Sequence, residues 1–185
     1  MVGEQSAGAA VTIRRLSETD IPSDLHSSLR DLLGTCFPGY PDRSYFKLPP
    51  HLRFLAMSGG AVQAQVGVEL RVIRVGDTVL RSLGVVDLCV RDGNRGRGLG
   101  SRLLAEVTDL AGSAGMDFVL LFADDDRLYV RNGWSRVKNP LCWVKIHEHR
   151  TLGLASSATP SEMMVKAVGP RPWPTGEVDL LGHVF

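Results

Sequence analysis

The apolar positions of this chain fall into two periods. Between Ala61 and Val75 they alternate through Val62, Ala64, Val66, Val68, Leu70 and Val72, the period of a long half-buried strand. Gly76-Asp77 turns this into a second strand, Thr78 to Val90, and Ser58-Gly59-Gly60 joins it to an earlier one, His51 to Met57, which predicts an antiparallel meander. Helical spacing appears twice. Leu25, Leu29, Leu32 and Leu33 share one face after Pro22-Ser23, with Gly34 near the end; Leu99, Leu103, Leu104, Val107, Leu110 and Ala111 share one face from Gly98 to about Ala114, closed by Gly115. Phe118 to Ala123 is continuously apolar, as for a strand buried on both faces, and its spacing from the preceding strand and helix predicts a parallel pair. Val11 to Leu16 reads as a first strand.

The rest is less regular. Phe37 to Pro50 is a proline-rich loop with room for one short helix around Ser44 to Lys47. Asp124-Asp125-Asp126 opens a short helix over Arg127 to Asn132, which Gly133 stops. Trp134 to Val137 and Leu141 to His147 are expected to pair as late strands, His149 to Thr159 to form a loop, and Met163 to Val168 to add a last strand. Pro170, Pro172 and Pro174 impose an extended path before an apolar tail, Val178, Leu180, Leu181, Val184 and Phe185.

The sharpest chemical signal lies between the strand ending at Val90 and the helix beginning near Gly98. There the chain runs Arg95-Gly96-Arg97-Gly98-Leu99-Gly100-Ser101. The first amides of a helix lack partners within it and sit at the positive end of its dipole, so glycines there let an anion approach the main chain. Gly93 and Gly98 have the spacing of a nucleoside-triphosphate loop, but Leu99 stands where lysine is needed. Gly96 and Gly98 begin a dinucleotide fingerprint, but Ser101 replaces its third glycine. The pattern R/Q-x-x-G-x-G/A is met in full by Arg95, Gly98 and Gly100. On these residues the stretch Val90 to Leu104 resembles the acyl-CoA loop of the GCN5-related N-acetyltransferases (GNAT).

That resemblance covers about residues 11 to 147 and is strongest over 83 to 134. It implies an α/β domain with a mixed sheet, mostly antiparallel, with a central splayed parallel pair and flanking helices, and it implies acetyl-CoA as co-substrate. Cys89, Val90, Arg95, Gly96, Arg97, Gly98, Leu99, Gly100 and Ser101 would hold the cofactor, with a main-chain amide of Cys89 or Val90 as donor to the thioester oxyanion. Tyr129-Val130-Arg131-Asn132-Gly133-Trp134 is similar to the family's Y-x-x-x-G-[FW] helix and turn, which makes Tyr129 the expected general acid for the leaving thiolate. Asp87 is an acid in an otherwise apolar strand. A buried carboxylate is costly without a partner, so Asp87 is the expected base, with a structural hydrogen bond as its other reading; Glu69, His51 and His183 are further candidates. Asp124 to Asp126 suit either a cationic acceptor or plain helix capping, and three successive acids make poor metal geometry. Phe37, Tyr40, Tyr45 and Phe46 lie on the family's acceptor side. A softer similarity reaches the aminoglycoside 2'-N-acetyltransferases and the nodulation-factor N-acyltransferases, the latter through Trp173-Pro174-Thr175-Gly176. Where the aminoglycoside enzymes carry a glutamate, this chain has Val86, with Asp87 next.

Composition sets bounds. The 185 residues are 44% hydrophobic with a formal net charge of +1, enough chain to bury a core and too little charge to attract nucleic acid or an anionic membrane globally. No apolar run approaches the roughly 18 residues of a membrane span. The start lacks a charged segment followed by an apolar one, so no signal peptide is expected. Three cysteines, Cys36, Cys89 and Cys142, without a C-x-x-C, speak for neither disulfides nor zinc and fit a reducing cytoplasm. The expectation is a disordered tail over residues 1–10 and one domain over 11–185. That domain would be an N-acetyltransferase acting on a small-molecule primary amine in a ternary complex, with no metal, no nucleic acid and no membrane; a homodimer stays open. The alternatives are a non-catalytic acyl-CoA-binding or regulatory domain and a longer-chain N-acyltransferase.

Overall fold

The computed structural model describes residues 10–160 and 162–185, so the expectation for the first nine residues lies outside the described residues. Among the described residues ten strands form one sheet: β1 (Thr12–Ser17), β2 (Leu52–Ser58), β3 (Ala61–Val75), β4 (Thr78–Val90), β5 (Phe118–Phe122), β6 (Ser135–Arg136), β7 (Leu141–His147), β8 (Arg150–Ser157), β9 (Met163–Ala167) and β10 (Val178–His183). Three helices accompany it: α1 (Ser23–Cys36), α2 (Leu99–Ser113) and α3 (Arg127–Arg131).

The order across the sheet is β6-β9-β5-β4-β3-β10-β7-β8. β1 and β2 extend the sheet from the first half of β3, which is long enough to pair with β2 up to Val68 and with β10 at Arg74 and Val75. Most pairings are antiparallel; β4 with β5 and β10 with β7 are parallel. The helices take opposite faces. In β2, Phe54 and Ala56 pack with Leu103, Leu104 and Val107 of α2, while Leu55 between them packs with Leu29, Leu32 and Leu33 of α1. That is the alternation a period of two requires. A third apolar group, Ile73, Leu80, Phe118, Val178 and Leu180, ties the tail into the sheet.

Three local expectations are corrected. The strand from Met163, expected as the last, is followed by β10, which pairs with β3 and β7. The strands after α3 do not pair with each other: β6 joins β9, and β7 joins β8 and β10. The segment His149 to Thr159 is largely strand β8 rather than loop. Its hairpin turn is Glu148-His149, both at positive φ (45° and 60°), without the Asn-Gly or Asp-Gly that marks such turns. The Trp173 to Gly176 stretch is structural: the Trp173 ring meets Phe118 edge-on at 4.9 Å, and its indole N–H donates to Asn139 Oδ1 at 2.8 Å.

Candidate active site

The site begins where the parallel strands part. β4 and β5 are paired only from Ser82 with Phe118 to Gly84 with Leu120. Beyond that β4 runs on to Val90 and β5 to Phe122 without a shared ladder, opening a cleft in the middle of the sheet.

At the mouth of the cleft lies the glycine loop. Gly96 and Gly98 have φ of 74° and 78°, a conformation other residues adopt at a cost, and a side chain on either would project into open space. Gly98 is the residue before α2, and the first main-chain bond into the helix is donated by Arg102 to the Gly98 carbonyl at 3.0 Å. The amides of residues 96 to 101 therefore have no protein partner among the described residues. Leu99 and Gly100 are buried and anchor the helix start; a Cβ on Gly100 would lie 3.3 Å from Leu128 of α3. Arg95 turns back on the strand, its Nε donating to the Val90 carbonyl at 3.1 Å and its guanidinium pairing with Asp92 at 3.0 Å. Arg97 remains exposed.

α3 is fastened to this loop. Asn132 donates to Ser101 Oγ at 3.0 Å and to the Leu128 carbonyl at 2.8 Å. Tyr129 packs its ring at 6.1 Å and 70° to that of buried Trp134. Its hydroxyl makes no hydrogen bond among the described residues, and burial, with Asp125 adding to it, pushes its pKa above the usual phenol value. It is thus held protonated with its proton uncommitted. Asp125, by contrast, is spoken for: Arg127 grips it at 2.5 Å and holds its pKa down to about 2. Asp126 pairs with Arg136 at 2.9 Å. The acidic run serves the helix and its neighbours, and the described residues contain no cluster suited to a metal.

Asp87 lies upstream of the glycine loop, in an irregularity of β4. Gln65 of β3 faces Cys89 and Gly67 faces Val86, so β4 carries one extra residue there, a β-bulge. Asp87 takes φ 52° in it, a conformation aspartate tolerates better than most side chains. The bulge is supported by a chain of polar groups. The Gln65 amide donates to the Asp87 carbonyl, and Gln65 Oε1 accepts from Arg53 at 3.1 Å. Arg53, fully buried, makes a two-pronged bond to Glu18 at 2.7 and 3.0 Å and donates to the Ser44 carbonyl at 2.7 Å. The Asp87 carboxylate accepts a 2.6 Å hydrogen bond from Tyr40. Burial raises the Asp87 pKa; the Tyr40 bond and the Arg53 charge oppose this without cancelling it. Cys89 is buried beside Cys36, and burial raises its thiol pKa, so it stays a neutral packing group.

Asp87 borders a cavity of about 230 Å³ that also reaches Lys47, Glu69, Phe122, His183 and Phe185. Glu69 is buried and held by Arg71 at 2.5 Å and His183 at 3.4 Å. Burial alone would raise its pKa, but the bonds from His183 and Arg71 outweigh it and lower it. His51, the other histidine considered, accepts from the Leu70 amide at 3.2 Å and does not border this cavity.

The structure places Cys89 and Val90 on β4 between the bulge at Asp87 and the glycine loop, ties α3 with Tyr129 to that loop through Asn132 and Ser101, and sets Asp87 in a cavity that Phe122 at the end of β5 also borders. Reading the chain missed Tyr40 as the partner of Asp87, the Arg53-Gln65 support, and Lys47 and Phe185 as cavity residues. Tyr40 had been noted only as an aromatic of the acceptor side. A buried arginine in the apolar run of β2 was the one local sign that something ionic lay beneath.

The comparisons bear on the fold and the family. No curated protein matches the chain in sequence. Among solved structures, the fold is similar to that of a GNAT family N-acetyltransferase (YhbS) from Escherichia coli in complex with CoA, at 19% identity and TM-score 0.63 over 96% of this chain and 93% of that one. It is similar to a GNAT family acetyltransferase from Brucella melitensis in complex with acetyl-CoA, at 17% identity and TM-score 0.62 over 92% and 95%. An aminoglycoside N-acetyltransferase, AAC(6')-Iy, in complex with CoA aligns at 18% identity and TM-score 0.52 over 69% and 86%. The family model for the acetyltransferase (GNAT) domain matches residues 12–137, more than half of the chain, and with it the protein belongs to the GNAT acetyltransferase family.

Proposed function

We propose that this protein is an acyl-CoA-dependent N-acyltransferase that moves an acetyl group from acetyl-CoA to a small primary amine by direct attack in a ternary complex. The observation that carries the reading is the set of amides at 96 to 101, without a partner among the described residues, at the mouth of the parted strands. Those amides, at the positive end of α2, would take the diphosphate, with Arg97 adding charge. The pantetheine arm would follow the gap between β4 and β5. An amide of Cys89 or Val90, after the bulge, would meet the thioester oxygen as charge builds on it.

The residues then divide the protons. The amine enters neutral, its ammonium proton having gone to solvent, and Asp87, with its raised pKa, accepts one proton from the nitrogen as it attacks. The amine nitrogen forms a bond to the carbonyl carbon. As the C–S bond breaks, Tyr129 gives its proton to the sulfur, so the thiolate leaves as a thiol. Tyr129 recovers a proton from solvent as Asp87 loses one. Three free cysteines suit a reducing cytoplasm, and among the described residues no helix is long and apolar enough to cross a membrane.

The test pairs a thermal-shift titration of acyl-CoAs of increasing chain length with thiol release over a panel of amines. Stabilisation by acetyl-CoA with release of CoA on adding an amine supports the reading. Stabilisation without turnover on any amine would favour a binding domain, and stronger turnover with long acyl chains would reassign the donor.

A further inference from the structure

The cavity beside Asp87 has a wall that the transfer chemistry leaves unused. Lys47, from the loop between α1 and β2, reaches it, and its ammonium makes one hydrogen bond, to the Val184 carbonyl at 2.8 Å. An ammonium has three donors. Among the described residues Lys47 has no other hydrogen-bond partner and no ion pair. The two nearby acids are both engaged elsewhere, Glu69 by Arg71 and His183, Asp87 by Tyr40. Burial lowers the Lys47 pKa, while the fields of Glu69 and Asp87 act to keep it charged. A partly desolvated cation with two free donors facing a cavity is an unmet demand for an anionic group.

Apart from Asp87 and the mutually engaged Glu69 and His183, the rest of the wall is largely apolar. Phe122 and Phe185 meet edge to face at 5.5 Å, and Phe46 lies on the Lys47 side, its ring centroid 5.9 Å from the ammonium. The cavity, about 230 Å³, lies below the range of roughly 300–1,000 Å³ found for drug-sized ligands, so it suits a small molecule rather than an oligosaccharide or a peptide chain.

We propose that the acceptor is an apolar amino acid, its amine directed to Asp87, its carboxylate bonded to Lys47 and its side chain among Phe46, Phe122 and Phe185. This deepens the acetyltransferase reading and rests on it. The two charged ends fix the molecule's direction in the cavity, which places the amine, and not the carboxylate, toward the thioester. A polycationic acceptor is disfavoured on the same ground, since it would set a second positive charge against Lys47.

The experiment compares matched acceptors in the thiol-release assay: phenylalanine and leucine, their decarboxylated amines, and their amides. The wild-type enzyme is expected to prefer the free amino acids by roughly tenfold to a hundredfold in kcat/KM, the worth of one charge-assisted hydrogen bond. Lys47→Met should collapse that ratio toward one, and mainly through KM; Lys47→Arg should restore part of it. Acetyl-CoA thermal shifts are recorded for every variant. A wild-type enzyme that uses the decarboxylated amines as well as the amino acids, or uses neither amino acid, overturns the proposal even if the variants fail to fold. If acetyl-CoA binds and other amines are turned over, only this inference fails. If acetyl-CoA does not bind, the underlying reading fails with it.

Discussion

Tyr40 and Asp87, 47 positions apart, share a 2.6 Å hydrogen bond across the wall of the cleft. The bond joins a loop of irregular backbone to a bulged strand, and it works against burial, which pushes the Asp87 pKa upward. As the proposed base, Asp87 must be ionised to accept a proton, so activity should rise with pH through the Asp87 pKa. Tyr40→Phe removes the group that favours the ionised form. The acidic limb of kcat/KM against pH should therefore move to higher pH, with the plateau at alkaline pH largely kept. Asp87→Asn should lower kcat/KM by about 100-fold or more across the range. A Tyr40→Phe profile that is lowered everywhere without moving would mean that the bond only shapes the loop.

Tyr129→Phe tests the other proton. The hydroxyl has no hydrogen-bond partner among the described residues, and the ring contact with Trp134 survives its loss. Turnover should fall by about 100-fold, while acetyl-CoA affinity by calorimetry stays within about twofold. Equal losses in both would assign the hydroxyl to binding.

These residues differ in how well they could be read from the chain, and the difference is physical. The glycine loop and Tyr129 belong to short stretches whose spacing is itself the chemistry, so they stood out. Asp87 was visible as an acid among apolar neighbours, but its bulge was not: Val86-Asp87-Leu88 carries no glycine, and the extra residue shows only in register against Gln65 and Gly67. Tyr40 and Lys47 lie among prolines without periodicity, and their partners are 47 and 137 positions away. Strand β8 was hidden for another reason. It is an exposed edge strand with small residues and a glycine, so it has no buried face to write into the pattern.

Gly98→Ala separates binding from folding. A methyl group there meets nothing within 4 Å, so the cost to stability is that of φ 78° for a residue with a Cβ, about 1 kcal/mol. The same methyl would crowd the free amides. The stabilisation conferred by acetyl-CoA should shrink well beyond the small loss in the free protein. Gly112→Ala, at the penultimate position of α2 and also in open space, should leave the free protein as stable or up to about 1 kcal/mol more stable, with the acetyl-CoA shift unchanged.

Arg53→Met tests the support beneath the bulge. The substitution leaves Glu18 and the Gln65 carbonyl oxygen without their donor, and the Ser44 carbonyl as well. Removing one partner of a buried ion pair costs about 3–5 kcal/mol, to be read from urea denaturation. Because Gln65 also holds the Asp87 carbonyl, kcat should fall in whatever fraction remains folded. A loss of stability with unaltered kcat would show that the bulge holds its shape alone.

Glu69 makes a prediction about pH rather than rate. Its pKa in the folded protein is lowered, because the bonds from His183 and Arg71 outweigh the effect of burial. Between that value and the unfolded value, about 4.3, the unfolded chain binds more protons than the folded one, so stability rises with pH there. The contribution is fully present above the unfolded value and is lost as pH falls through the folded one. Glu69→Gln should therefore be clearly less stable than the wild type at neutral pH, and the gap in urea midpoint should close as the pH is taken below about 4. A gap of constant size from neutral to acid pH would mean that the loss comes from packing around Arg71, with the charge of Glu69 contributing nothing to it.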